Sequence, residues 1–186
     1  MRFIFPFFCF FVLFSCSIKK DTRTPEQKKT DQCEQIENQT IGFFAEKMWR
    51  DKGLEPIGAG GGGSGIPGKG AKMLSVTFRC YQAVDTTKAR KLLIECVQEL
   101  LTEINATKEL ESCLSVFPFT EKNVSVSLLF VDKSTGHFYK YPLLASGNMD
   151  RGKINYFIER DKNEFLEGSG DETYEEALKV VDYDSN

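Results

Sequence analysis

The segment Gly63 to Lys69, GSGIPGK, has the G-x-x-x-x-G-K spacing of a phosphate-binding loop. Such a loop cradles phosphates with backbone N–H groups, neutralises them with its lysine and binds magnesium through a following serine or threonine. Gly70 stands where that hydroxyl belongs. The order of elements is also reversed, because the loop needs a strand before it and a helix after it whose N-terminal dipole holds the anion. The pattern here is a helix followed by a strand, so no nucleotide or other cofactor is expected, and the glycine-rich stretch 54–71 reads as a flexible linker.

His137 is the only histidine in the chain and so the only imidazole available as a general base. It sits beside Lys133, Ser134 and Thr135 at the start of an expected hairpin strand, and no G-x-S-x-G elbow accompanies it. Paired carboxylates could hydrolyse a glycosidic bond, but Asp161, Glu164 and Glu167 lack the glycine and ligand spacing of a calcium loop, so no metal site is expected. Asn38, Asn105 and Asn123 each open an N-x-[ST] sequon. Phe117-Pro118-Phe119, with Phe138, Tyr139, Tyr141, Tyr156 and Phe157, reads mainly as core that alternates with polar residues.

The first sixteen residues, MRFIFPFFCFFVLFSC, hold seven of the sixteen phenylalanines. They follow the three-part layout of an export signal: positive Arg2, an apolar run from Phe3 to Phe14, then small Ser15 and Cys16. Twelve helical residues span about 18 Å, short of the roughly 30 Å of bilayer hydrocarbon. Leu13-Phe14-Ser15-Cys16 resembles the lipobox of bacterial lipoproteins. The resemblance implies cleavage before Cys16 and acylation of its amino group and thiol, and Ser17 in the following position implies the outer membrane, facing the periplasm or the cell surface. The folded part has the general look of uncharacterised exported envelope proteins.

Residues 17–29 carry Lys19, Lys20, Arg23, Lys28 and Lys29 against Asp21 and Glu26, a net +3 that favours an anionic leaflet. From Glu159 onward ten acids face three bases, within a chain of net charge −3. That acidity argues against nucleic acid, whose phosphates require a cationic face. Cys33, Cys80, Cys96 and Cys113 are widely spaced, without C-x-x-C; an oxidising compartment would allow three pairings, and Cys96 fits an apolar helical stripe as a buried hydrophobe.

These chemistries need elements to hold them. A signal peptide is expected at 1–15, the lipidated cysteine and a flexible polar tether at 16–33, a helix at 34–53 ended by Gly53, the linker at 54–71 and an α+β domain at 72–182. Within the domain, Leu74, Val76, Phe78 and Cys80 alternate with polar residues as a strand. Ala89, Leu92, Leu93, Cys96, Val97, Leu100, Leu101 and Ile104 then repeat at offsets of three and four, which predicts a helix over 86–106 capped by Asp85 or Thr86.

Strands are expected at 123–131, 137–141, 153–160 and 163–168, with a last helix capped by Asp171 that turns Tyr174, Ala177, Leu178 and Val181 inward. The fold class is α+β: one small domain whose mostly antiparallel or mixed sheet packs against one long amphipathic helix, with a helix at each terminus. The expected function is a lipid-anchored envelope protein acting as a non-catalytic interaction or assembly module on an envelope protein partner. Two alternatives stand beside it, an exported hydrolase using acids with His137 and a secreted eukaryotic glycoprotein.

Overall fold

A computed structural model describes residues 22–63, 70–160 and 166–184. The chain is α+β, with helices α1 (Pro25–Lys52), α2 (Thr86–Ala106) and α3 (Tyr174–Asp184) and strands β1 (Leu54–Gly62), β2 (Met73–Cys80), β3 (Val124–Phe130), β4 (Ser146–Asp150), β5 (Lys153–Ile158) and β6 (Glu167–Thr173). The six strands lie side by side in chain order. Only β2 and β3 run parallel, joined across α2, because returning to a parallel position requires a crossover of that length. Every other neighbouring pair is antiparallel.

The long helix occupies the predicted range, and Asp85 caps it by accepting a 2.9 Å bond from the Lys88 N–H. All three helices pack on one side of the sheet, α1 over β1 and β2, α2 over β3 and β4, and α3 against α2 and β6. Leu74, Val76, Phe78, Val124, Val126, Leu128 and Phe130 meet Phe44, Met48, Leu93, Val97 and Leu100 in one continuous core. α2 comes so close to β4 that a Cβ on Gly147 would lie 3.2 Å from Leu93 Cδ1. Ala177 is buried on α3, and Tyr174, Leu178 and Val181 pack against the core as expected.

Four expectations are corrected. The tether expected to reach residue 33 is helical from Pro25: Thr24 accepts from the Gln27 N–H and Gln27 answers the Thr24 N–H, with proline in the first turn. Gly53 does end this helix, in the left-handed region at φ 67. The linker expected at 54–71 is, over Leu54–Gly62, the edge strand β1, paired with β2 along its length through a bulge at Ile57. Its glycines admit α1 closely, since a Cβ on Gly61 would sit 2.8 Å from Glu37 Oε2.

The third correction concerns 137–141, which makes only single bridges, Phe138 to Val131 and Lys140 to Glu159. The antiparallel partner of β3 is instead β4, from the segment between the strands expected at 137–141 and 153–160, and β4 turns into β5 through Arg151 at φ 51 and Gly152 at φ 79. Two positive φ angles in a two-residue connection match strand twist, although left-handed backbone costs a non-glycine about 1 kcal/mol. Fourth, Asp171 lies in β6 rather than capping α3; Thr173 and Glu176 exchange that pair of bonds, at 3.2 and 2.8 Å. Residues 163–165 of the strand expected at 163–168, Glu164 among them, lie outside the described residues, as does Asp161 before it, and β6 runs 167–173.

Glu37, on α1, is 9% exposed, and burial followed by the nearby Glu34 charge holds its carboxyl above the usual range. A raised carboxyl favours the protonated folded state, so its contribution is fully present below the unfolded value and is lost as pH rises through the folded one. Glu37→Gln should therefore raise the melting temperature at pH 7 by about 2–4 °C, roughly 1 kcal/mol, and change nothing below about pH 4. Destabilisation at pH 7 would show that the ionised carboxylate is needed.

Candidate functional site

Among the described residues, no layer covers most of the sheet face opposite the helices. Alternation along β2, β3 and β5 sends apolar side chains to the helices and leaves the other set on the open side. The register then aligns these residues in rows that cross all six strands. One row runs Gly60, Ser75, Ser125, Asp150, Lys153, Thr173, and the next runs Gly58, Thr77, Ser127, Asn148, Asn155, Asp171. Six strands make this surface about 24 Å wide.

Short hydroxyl and amide groups fill both rows. Ser75 donates to the Gly60 carbonyl at 3.0 Å, Asn155 donates to Asn148 at 3.3 Å, and Lys153 pairs with Asp171 at 2.8 Å. Ser125, Ser127 and Thr77 project between them, each half-buried by its neighbours. A third row is less polar: Arg79, Leu129, Ser146 and Phe157. At its β1 end Arg79 and Tyr81 both bond Glu55, at 3.0 and 2.6 Å. The Tyr81 hydroxyl, with Arg79, holds the Glu55 carboxyl below its usual range, so that carboxyl is a fixed anion at neutral pH. Such an array can hydrogen-bond a flat polar partner.

His137 is exposed at the end of the 132–137 turn. Its carbonyl accepts from the Asp132 N–H at 2.9 Å. The Asp132 carboxyl is held low by the Ser134 hydroxyl and N–H, which suits a turn and not a proton donor. Glu167 pairs with Arg160 at 2.8 Å. Among the described residues no group of three His, Cys, Asp or Glu side chains is placed to hold a metal. Asp161 and Glu164 lie outside the described residues.

Cys33 and Cys113 form a disulfide with Cα atoms 5.2 Å apart, tying α1 to the turn after α2. Cys80 and Cys96 are free and buried. Burial pushes the Cys96 thiol up to about 12 and raises Cys80 as well, so neither is a nucleophile. Of the sequon residues, Asn105 is committed to both the N–H and carbonyl of Phe119, and Asn123 to Thr120 and Lys72. Asn38 is exposed on α1. Phe119 and Tyr156 are core residues, Phe117 and Tyr139 pack against the core, and Tyr141 is exposed. No described helix is long and apolar enough to cross a membrane; Cys16, the lipobox and Ser64–Lys69 lie outside the described residues. Comparison with protein-family models, curated proteins and solved structures finds no match to this chain.

The open face was half-visible in the sequence. Ser75, Thr77 and Arg79 alternate with buried apolar residues, as do Ser125 and Ser127, but alternation alone does not say whether a second layer covers the polar set.

Proposed function

We propose that the protein is an exported, lipid-anchored envelope protein that acts as a non-catalytic binding module, holding an envelope protein partner on the open face of its sheet. The observation that carries this reading is the pair of polar rows, crossing six strands and left uncovered by the described residues while three helices crowd the opposite side. The Cys33–Cys113 disulfide supports export, since such bonds persist in oxidising compartments. The resemblance of residues 13–16 to a lipobox supports acylation at Cys16 and attachment to the outer membrane. Residues 25–32 of α1 are exposed and helical, a stalk of about 12 Å between the anchor and the sheet domain.

A photo-crosslinking residue at position 127 or 148 should yield a discrete adduct in intact cells, and Ser127→Arg should abolish the adduct at 148 while leaving the fold intact. The same residue at position 91, on the exposed side of α2, should yield none. Equal adducts from positions 91 and 127 would place the partner surface elsewhere.

A further inference from the structure

Three cationic side chains line one cleft at the end of the sheet where the parallel strands begin. Lys72 immediately precedes β2, Lys122 lies in the short turn before β3, and Arg151 occupies the β4–β5 turn, whose Asp150 pairs with Ser125 near the start of β3. The cleft has a volume of about 930 Å³ and is further lined by Ser112 and Ser115, and among the described residues no acid lines it. This concentration of positive charge stands out in a chain of net charge −3.

No ion pair among the described residues neutralises Lys72 or Lys122. Among the described residues Arg151 pairs with Asp150, at 3.9 Å and outside the lining, and a Cβ on Gly152 would lie 3.4 Å from Glu121 Cγ. The two lysine-bearing segments are held together by Asn123, which donates to the Lys72 carbonyl at 3.2 Å and accepts from the Thr120 N–H at 3.1 Å. Lys72 is fixed a second time by donating its own N–H to the Gly62 carbonyl at 2.8 Å. Arg151 also keeps a left-handed backbone, at φ 51, where glycine or asparagine would sit without strain. An arginine in that position points to a use for its side chain.

A carboxylate presents two oxygens in one plane and is satisfied by a single guanidinium fork. Three cations on separate segments, with two serine hydroxyls, instead match the oxygens and the greater charge of a tetrahedral phosphate. We infer that this cleft is a binding site for a phosphate group, carried by a phosphodiester such as a phospholipid headgroup or by free phosphate. It is separate from the open sheet face and does not depend on the partner proposed there.

The test uses the full chain in neutral detergent at low ionic strength, titrated by calorimetry and phosphorus NMR with inorganic phosphate, soluble glycerophosphoglycerol, or acetate. Saturable binding of one or both phosphorus probes is expected. Lys72→Gln, Lys122→Gln and Arg151→Gln together should weaken it by about tenfold or more, as removal of close charges does. Preference for glycerophosphoglycerol would identify a headgroup source and preference for inorganic phosphate a free one; either supports the site. Arg151→Gly separates binding from folding, because it should raise the melting temperature by relieving the turn and still weaken phosphate binding. Phosphate affinity unchanged in the triple variant, no saturable binding of either phosphorus probe, or equal binding of acetate would each overturn the proposal.

Discussion

Gly70→Ala lowers the melting temperature by roughly 6 °C or more, corresponding to about 3 kcal/mol, in a thermal melt of the folded protein. A Cβ at this position would lie 1.9 Å from the Cys113 carbonyl oxygen and 2.5 Å from its carbon, with the Leu114 carbonyl carbon at 2.9 Å. These are backbone atoms, so rotation of a side chain cannot relieve the contact. Nor can the segment move away freely. The Ala71 N–H donates to the Cys113 carbonyl at 3.0 Å, the Ser115 N–H donates to the Ala71 carbonyl at 2.8 Å, and Cys113 is covalently tied to α1. Gly70 occupies the position that a phosphate-binding loop gives to a hydroxyl residue, and its lack of a side chain has a steric reason. A melting temperature within about 2 °C of the parent would mean that the 113–114 segment yields easily, against the usual cost of overpacking.

Removing the disulfide is expected to have an effect of similar size. Cys33 and Cys113 are 80 residues apart in sequence, and closing a loop of that length restricts the unfolded chain by about 4.5 kcal/mol in the chain-entropy description. Cys33→Ser should therefore melt roughly 10 °C below the parent. A thiol reductant should lower the parent by a similar amount and leave the variant unchanged. Amide exchange should accelerate most over residues 25–36, because the N-terminal stretch of α1 is exposed and this bond fixes it to the turn after α2. A parent protein indifferent to reductant would show that the noncovalent contacts of α1 suffice.

Both effects arise where the sequence was hardest to read. The apolar repeat of α2 and the alternation in β2, β3 and β5 report burial directly, and those elements fall close to their expected ranges. β1 carries no such signal: LEPIGAGGG is poor in strand formers, and its structure comes from backbone pairing with β2 and from α1 needing a surface without side chains. The start of α1 did carry a local signal, Thr24 and Gln27 flanking Pro25, but the polar composition of 17–33 masked it. β4 was obscured because SGNMD contains one large apolar residue, Met149, and depends on Gly147 for close packing under Leu93.

The candidate sites were less legible than the fold. The register that aligns Ser75 with Ser125 and Thr77 with Ser127 is a tertiary property, and Lys72, Lys122 and Arg151 come together from three distant segments. Cys33 and Cys113 could be recognised as disulfide candidates but not as partners, since four thiols permit three pairings.

The central claim is that the chain is exported, cut before Cys16 and held on a membrane by acyl chains there. Its most direct test is the intact mass of the protein extracted from cell membranes without reductant. The predicted result is a chain beginning at Cys16, heavier by its acyl groups and lighter by the two hydrogens lost in one disulfide, with the acyl mass absent from Cys16→Ala. An unacylated chain, or one that starts at another residue, would contradict it.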